Sequence, residues 1–294
     1  MKSPKYSDGT LGVIAGVVSA CFFASYLVLN RYIFKRFEVD AVGYALVFNA
    51  LGGLYAGASL LRPPAMRKVR GALTDWRGMA VLCLAGFIGM LLLVVGQRYT
   101  SSIHASLLVT TSIVLTMYFS GLLLHEHVTR RQQYWVAVLF AGIYLAVVGV
   151  KSFEFQPGDA VILVAVVFFG LGNVLSRRLM RRHGAGVVPD VRLLLVGLLT
   201  AILYIGFVRS IDLFSVVGLW TALAALCYYL TMKTFAVAVH HINANHAIVI
   251  VNAQIVPASL AGVLLLGEHY TWEKLIGSAV VLTSIYYISW RARA

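Results

Sequence analysis

Ten predominantly apolar runs fill almost the whole of this chain, each close to the roughly 20 residues that a helix needs to cross about 30 Å of hydrocarbon. They lie at 9–32, 41–61, 78–98, 102–124, 132–150, 159–179, 191–209, 214–238, 244–266 and 272–290. The connections between them are short, with no stretch left for a separate soluble domain. The expectation is an all-α polytopic membrane protein with ten transmembrane helices. Composition agrees, because 60% of the residues are hydrophobic and only 12% charged, about half the charged share of a soluble domain.

The formal net charge of +13 is the kind of excess that draws nucleic acid. Here the Lys and Arg sit at the ends of apolar runs, where they anchor helices to lipid headgroups. The bilayer is therefore the expected partner, and nucleic acid is not. Cys21, Cys83 and Cys227 each lie inside an apolar run with no Cys or His at short range, so they read as packing residues and not as a disulfide or metal set. Val18-Ser19-Ala20-Cys21 resembles a lipoprotein cleavage box. The run continues apolar through Leu29, however, and reads as an uncleaved first helix.

Orientation follows from the excess of Lys and Arg on cytoplasmic loops. With the N-terminus inside, the cytoplasmic segments hold Lys2, Lys5, Arg62, Arg67, Lys68, Arg70, Arg77, Arg130, Arg131, Arg177, Arg178, Arg181, Arg182, Arg192, Lys233, Arg291 and Arg293, against Arg31, Lys35, Arg36, Arg98, Lys151, Arg209 and Lys274 on the other side. Both termini are expected in the cytoplasm.

The chain also repeats itself. Leu122-Leu123-Leu124-His125-Glu126-His127-Val128-Thr129 returns as Leu264-Leu265-Leu266-Gly267-Glu268-His269-Tyr270-Thr271. In the same register His104 falls on His246, Thr110 on Asn252 and Ser112 on Gln254. Phe22-Phe23 and the Arg31…Lys35-Arg36 end of the first helix recur as Phe168-Phe169 and Arg177…Arg181-Arg182. Residues 1–150 and 151–294 are thus expected to form two halves of five helices each. Five is odd, so the second half enters the membrane upside down, the inverted repeat that many secondary transporters use to alternate access.

Ala105, Leu122-Leu123-Leu124, Glu126 and Thr129 in the first half, with Ala244, Ala247, Pro257, Leu264-Leu265-Leu266-Gly267-Glu268, Thr271 and Gly277 in the second, resemble the EamA-like drug/metabolite transporter superfamily. The likeness spans nearly the whole chain. Two departures, Leu115 in place of Pro257 and Trp135 in place of Gly277, make the first repeat degenerate. Within the superfamily the chain looks most like bacterial exporters of aromatic amino acids.

Glu126 and Glu268 invite reading as a proton or substrate site, but both fall at turns on the membrane boundary. Thr129 with Gln132 forms a capping box, and Thr271 and Glu273 suit the start of the last helix. All eleven acidic residues lie at or near helix ends. The carboxylate on which the superfamily's small multidrug exporters rely is therefore missing, which favours a neutral or zwitterionic solute moved by facilitated or weakly coupled transport.

The expected substrate site lies midway along the fourth and ninth helices, at Thr110, Ser112, Asn252 and Gln254. Pro257 frees the carbonyl of Ala253, and polar groups beside a water-filled cavity suit an amino acid's charged ends; interhelical hydrogen bonding is the alternative. Asn252 and Gln254, two apart on a helix, are expected to face opposite ways. Asn30, Asn49, Gln97 and Asn173 are further intramembrane amides. Tyr26, Tyr99 and Tyr229, with Tyr44, Phe48, Tyr204 and Tyr228, are candidate aromatic walls.

His104 and His246 sit at mirrored depths, so they are gate or rim candidates and not joint ligands. Lys233 either meets a substrate carboxylate or snorkels to the surface. His240-His241 with His246 lacks the remaining ligands of a zinc site, and no metal or cofactor is expected. Trp76, Trp135, Trp272 and Trp290 read as interface anchors, while Gly12-xxx-Gly16 and Gly53-xxx-Gly57 have the spacing of close helix contacts.

The expected function is export of amino acids, aromatic and other hydrophobic ones, across the bacterial inner membrane by a monomer or homodimer. The alternatives are another small metabolite or drug, or an intramembrane enzyme on lipid-linked substrates. An enzyme would need acids, His or a metal clustered in one leaflet, a pattern absent from this chain.

Overall fold

A computed structural model describes residues 6–61, 63–124, 129–147, 155–184, 186–208, 215–242, 247, 250–269 and 271–290, and they contain helices and no strand. The first helices are α1 (Tyr6–Arg36), α2 (Ala41–Leu60), α3 (Pro63–Thr74), α4 (Trp76–Arg98), α5 (Ser102–Thr110) and α6 (Ser112–Leu124). There follow α7 (Arg130–Val147), α8 (Pro157–His183), α9 (Val188–Leu203, continued by a π turn at Tyr204–Val208), α10 (Val216–His241), α11 (Ile255–Leu266) and α12 (Trp272–Trp290). Several begin on local caps: Asp40 accepts from Val42 and Gly43 N–H, Ser101 from His104 and Ser215 from Gly218, each satisfying an orphan donor of a first turn. Thr129 and Gln132 form the expected reciprocal capping box of α7.

Among the described residues, seven helical stretches are long and apolar enough to cross a membrane: α1, α2, α4, α5 with α6, α8, α9 and α10. Residues 250–266 form a shorter apolar helix, and α7 and α12 run for 18 and 19 residues. Helix α3, absent from the sequence expectation, is too short and polar to cross. Its Val69 and Ala72 pack with Leu60, Met79 and Leu179, which lays it along one end of the bundle.

Two expected continuous helices are broken. The fourth divides at Thr111, where Val114 N–H bonds to the Thr111 carbonyl at 3.0 Å, and Thr111 N–H to that of Leu108 at 3.0 Å. In the ninth, Val256 N–H takes the Ala253 carbonyl at 3.0 Å, and Gln254 N–H that of Val251 at 3.1 Å. Thr111 and Ala253 are equivalent positions in the repeat. Pro257 explains the second break, because it cannot bond to Ala253. The first copy carries Leu115 instead, and there Thr110 and Thr111 hydroxyls bond back to the carbonyls of Ser106 and Leu108, a pattern that bends helices. The Ala253 carbonyl is therefore not freed, as the sequence led us to expect, but taken up one residue earlier.

Side-to-side packing is dominated by four pairs: α1 with α10, α4 with α8, α2 with α9 and α7 with α12. Three of them close on glycine. A Cβ on Gly53 would lie 2.6 Å from the Gly197 Cα, one on Gly158 2.2 Å from the Gly96 carbonyl, and one on Gly277 2.6 Å from the Gly142 carbonyl. In lipid, helix association rests on such backbone approach. Trp135, expected as an interface anchor, instead stacks on Tyr287 at 4.2 Å, whereas Trp76 and Trp272 are exposed.

The helices alternate in direction. One end of the bundle, here the near end, gathers the starts of α1, α4, α7 and α9 and the finishes of α2, α6, α8, α10 and α12. There Arg182 meets Asp75 at 3.2 Å and the Ser59 hydroxyl donates to Asp190 at 2.8 Å. The opposite, far end carries Lys35, Arg98, Ser102, Asp159 and Glu268.

The glycine seams give a test with an internal control. Gly53→Ala is expected to cost about 1–3 kcal/mol of stability through overpacking. Gly52→Ala, whose added carbon meets nothing within 4 Å, should be neutral or stabilise by up to about 1 kcal/mol. Thermal unfolding of the two variants in detergent checks the difference.

Candidate functional site: a cavity between aromatic rings and two arginines

Between the helices lies a cavity of about 300 Å³. Its lining runs from Tyr26, Met90 and Val109 at mid-helix to Gln132 and Pro189 at the starts of α7 and α9, so it opens toward the near end. One wall is aromatic. Tyr26 meets Phe23 edge-on at 4.9 Å and Tyr228 at 5.3 Å, and Phe169 lines the cavity from α8. Phe23 and Phe169 are repeat equivalents, a signal in the duplicated Phe-Phe pair that sequence reasoning noted but left out of the site.

The polar lining comes from the two helix breaks and from α8. Ser112, Asn173, Asn252 and Gln254 all face the cavity, with Asn173 donating to the Thr116 hydroxyl at 3.2 Å. Asn252 and Gln254 both line it because the turn at residues 253–254 re-aims the second side chain; the expectation that they face opposite ways assumed an unbroken helix. The Gln254 Oε1 and Tyr26 hydroxyl are buried without a hydrogen-bond partner. Two guanidiniums complete the lining, Arg177 bonded to the Ser120 hydroxyl and Arg192 bonded to the Tyr228 hydroxyl at 3.1 Å. Sequence reasoning counted both as cytoplasmic anchors.

Other expected site residues lie elsewhere. Thr110 is buried against its own helix, and Asn49 donates to the Ala45 carbonyl at 2.8 Å. Tyr229 packs against Tyr55, and Tyr99 is exposed at the far end. Lys233 pairs with Asp190 and sits 5.7 Å from the Tyr229 ring centre. His246 and Glu126 fall outside the described residues. Among the described residues no group of three His, Cys, Asp or Glu could hold a metal.

A second polar cluster seals the far end. Gly267, at φ 63°, ends α11 in a left-handed turn, a conformation glycine adopts at no steric cost. The turn directs Glu268 to the start of α5, where its carboxylate accepts from Ser102 N–H at 2.8 Å, the Ser102 hydroxyl at 2.9 Å and Ile103 N–H at 3.2 Å. Gly262 leaves room for this contact, since a Cβ there would lie 2.7 Å from the Glu268 carboxylate. Glu268 of the second copy is thus a capping residue, but it caps α5 and not the helix that follows it. Beside it His104 Nδ1 lies 3.1 Å from Asp159, which also accepts from the Thr100 hydroxyl. Asn30, Gln97 and Tyr44 form a buried chain at 2.9 and 2.7 Å. Asp159 and Asp190 stand at helix starts as expected, yet both are buried in protein, Asp159 accepting from the Thr100 hydroxyl and Gln156 N–H and Asp190 from Ser59 and Lys233.

Long apolar helices packed around a mainly apolar cavity with a few polar side chains describe a multi-pass membrane protein. The EamA-like transporter family matches the chain twice, over residues 10–148 and 156–290, and the chain belongs to that family, within the drug/metabolite transporter superfamily. The uncharacterized transporter YyaM of Bacillus subtilis (strain 168) is 24% identical over 157 residues, covering 51% of this chain and 51% of that protein. The chain therefore spans about half the length of this curated relative. A protein known by a crystal structure shares the fold, with a TM-score of 0.69 at 16% identity over 99% of this chain and 100% of that one.

The orphaned hydroxyl of Tyr26 gives a prediction. Leaving a buried polar group unsatisfied is costly, so Tyr26→Phe should stabilise the unliganded protein by about 1 kcal/mol. Thermal unfolding in detergent measures it, and a loss of stability would show that the hydroxyl is bonded.

Proposed function

We propose that this transporter exports amino acids, aromatic and other hydrophobic ones first, across the bacterial inner membrane with both termini in the cytoplasm. The observation that carries the reading is the cavity itself. Rings of Phe23, Tyr26, Phe169 and Tyr228 offer a slot for an apolar or aromatic side chain, and Ser112, Asn173, Asn252 and Gln254 offer hydrogen bonds to a polar head.

The mechanism proposed is alternating access between residues 1–150 and 151–294 as inverted halves. Three lines support it. The family matches each half separately. The helix breaks at Thr111 and Ala253 occupy equivalent positions. The dominant packing pairs also map onto themselves when the halves are exchanged: α1 with α10 becomes α8 with α4, while α2 with α9 and α7 with α12 are each their own image.

In this reading the near end is cytoplasmic, and the conformation described is the one that loads substrate. Release needs the far end to open, with Glu268 leaving the start of α5, while the near end closes over the cavity. The carboxylates Asp159 and Asp190 are already engaged by protein partners, which favours facilitated or weakly coupled movement over a strict proton exchange.

Counterflow of labelled phenylalanine into proteoliposomes tests the proposal. Saturable uptake above protein-free vesicles is expected, changing less than about twofold when a pH gradient is imposed. Uptake equal to empty vesicles overturns amino-acid transport.

A further inference from the structure

The side chain of Arg192 leaves α9 near its start and passes over Gly86 of α4, where its Cδ would lie 3.4 Å from a Cβ on that glycine. It ends at the cavity wall with Nη2 donating to the Tyr228 hydroxyl and lying 3.9 Å from the Met232 sulfur. A hydroxyl and a thioether do not neutralise a guanidinium. Among the described residues no carboxylate pairs with it. Asp190, two positions earlier, bonds instead to Lys233 and Ser59. A half-buried cation without a counter-ion is costly, and this one borders the space left for a ligand.

We infer, on the proposed reading of the cavity as the transport site, that Arg192 receives the carboxylate of the substrate and so selects monocarboxylates with an apolar body. A planar guanidinium matches a carboxylate with two parallel hydrogen bonds. The rest of the lining fits the same ligand. The Tyr26 hydroxyl, buried and unpartnered, is a further donor. The Gln254 Oε1, also buried and unpartnered, is an acceptor for an ammonium. The unpaired Arg192 makes this wall of the cavity positive, so it attracts anions and repels amines that lack a carboxylate. The carboxylate is then the group the site requires, and the ammonium adds to binding without deciding it.

Competition against labelled phenylalanine counterflow separates these roles. In the wild-type protein 3-phenylpropionate, which has the carboxylate alone, is expected to compete within about tenfold of phenylalanine. Phenethylamine, which has the amine alone, is expected to need at least about a hundredfold more, as loss of a charged hydrogen-bonded pair implies. Arg192→Gln should raise the half-saturation for phenylalanine about 10- to 100-fold and abolish the advantage of 3-phenylpropionate over phenethylamine; Arg192→Lys should fall between. Equal competition by the two analogues in the wild type overturns the inference without needing any variant. An unchanged half-saturation in Arg192→Gln does the same.

Failure of amino-acid transport itself would appear differently, as no counterflow in the wild type. The inference is then decided by thermal stabilisation of the purified wild type and Arg192→Gln by 3-phenylpropionate and phenethylamine. A shift with the carboxylate alone, lost in the variant, supports it, and no carboxylate-dependent shift overturns it.

Discussion

A backbone that leaves helical geometry at membrane depth must find its hydrogen bonds inside the protein, because lipid supplies none. Among the described residues the chain breaks its α-helices in this way at Thr111 and at Ala253, and both interruptions lie beside the cavity. Each retains its bonds by shortening them to the residue three positions on. The result is local: Ser112, Asn252 and Gln254 reach the cavity together, which an unbroken helix would forbid. The polar lining is thus a consequence of how two helices bend, one by proline and the other by threonine hydroxyls.

The same accounting explains the closed end. A helix start inside the bundle leaves N–H donors without partners, and Glu268 supplies them for α5 from the opposite half of the chain. Hydrogen bonds to a charged group contribute up to about 1.5–3 kcal/mol each, and less here because the contact is only partly buried. At the near end, Arg182 with Asp75 is largely exposed and contributes little.

Much of the fold was legible in the sequence, since hydropathy and the duplicated motif reported helix positions and register. Gly53 was legible too, because close helix contact needs a residue without a side chain. Hydropathy gives depth, however, and not the direction in which a side chain turns. Arg177 and Arg192 therefore looked like anchors at helix ends, although both side chains turn inward. For the same reason Asn30, Asn49 and Thr110 looked like site residues, yet they spend their hydrogen bonds on packing. The bend at Thr111 had no proline to announce it. Phe23 and Phe169 were the recoverable omission, being duplicated in sequence and meeting the same cavity.

The central claim is that the far-end seal and the cavity belong to one exchange of conformations. Double electron–electron resonance between spin labels replacing the exposed Tyr99 and Trp272, on either side of the contact between Glu268 and α5, tests it most directly. The account predicts a single short distance without ligand and a second, longer population once a transported amino acid is added. An unchanged single distance, in labelled protein that still carries out counterflow, would contradict it.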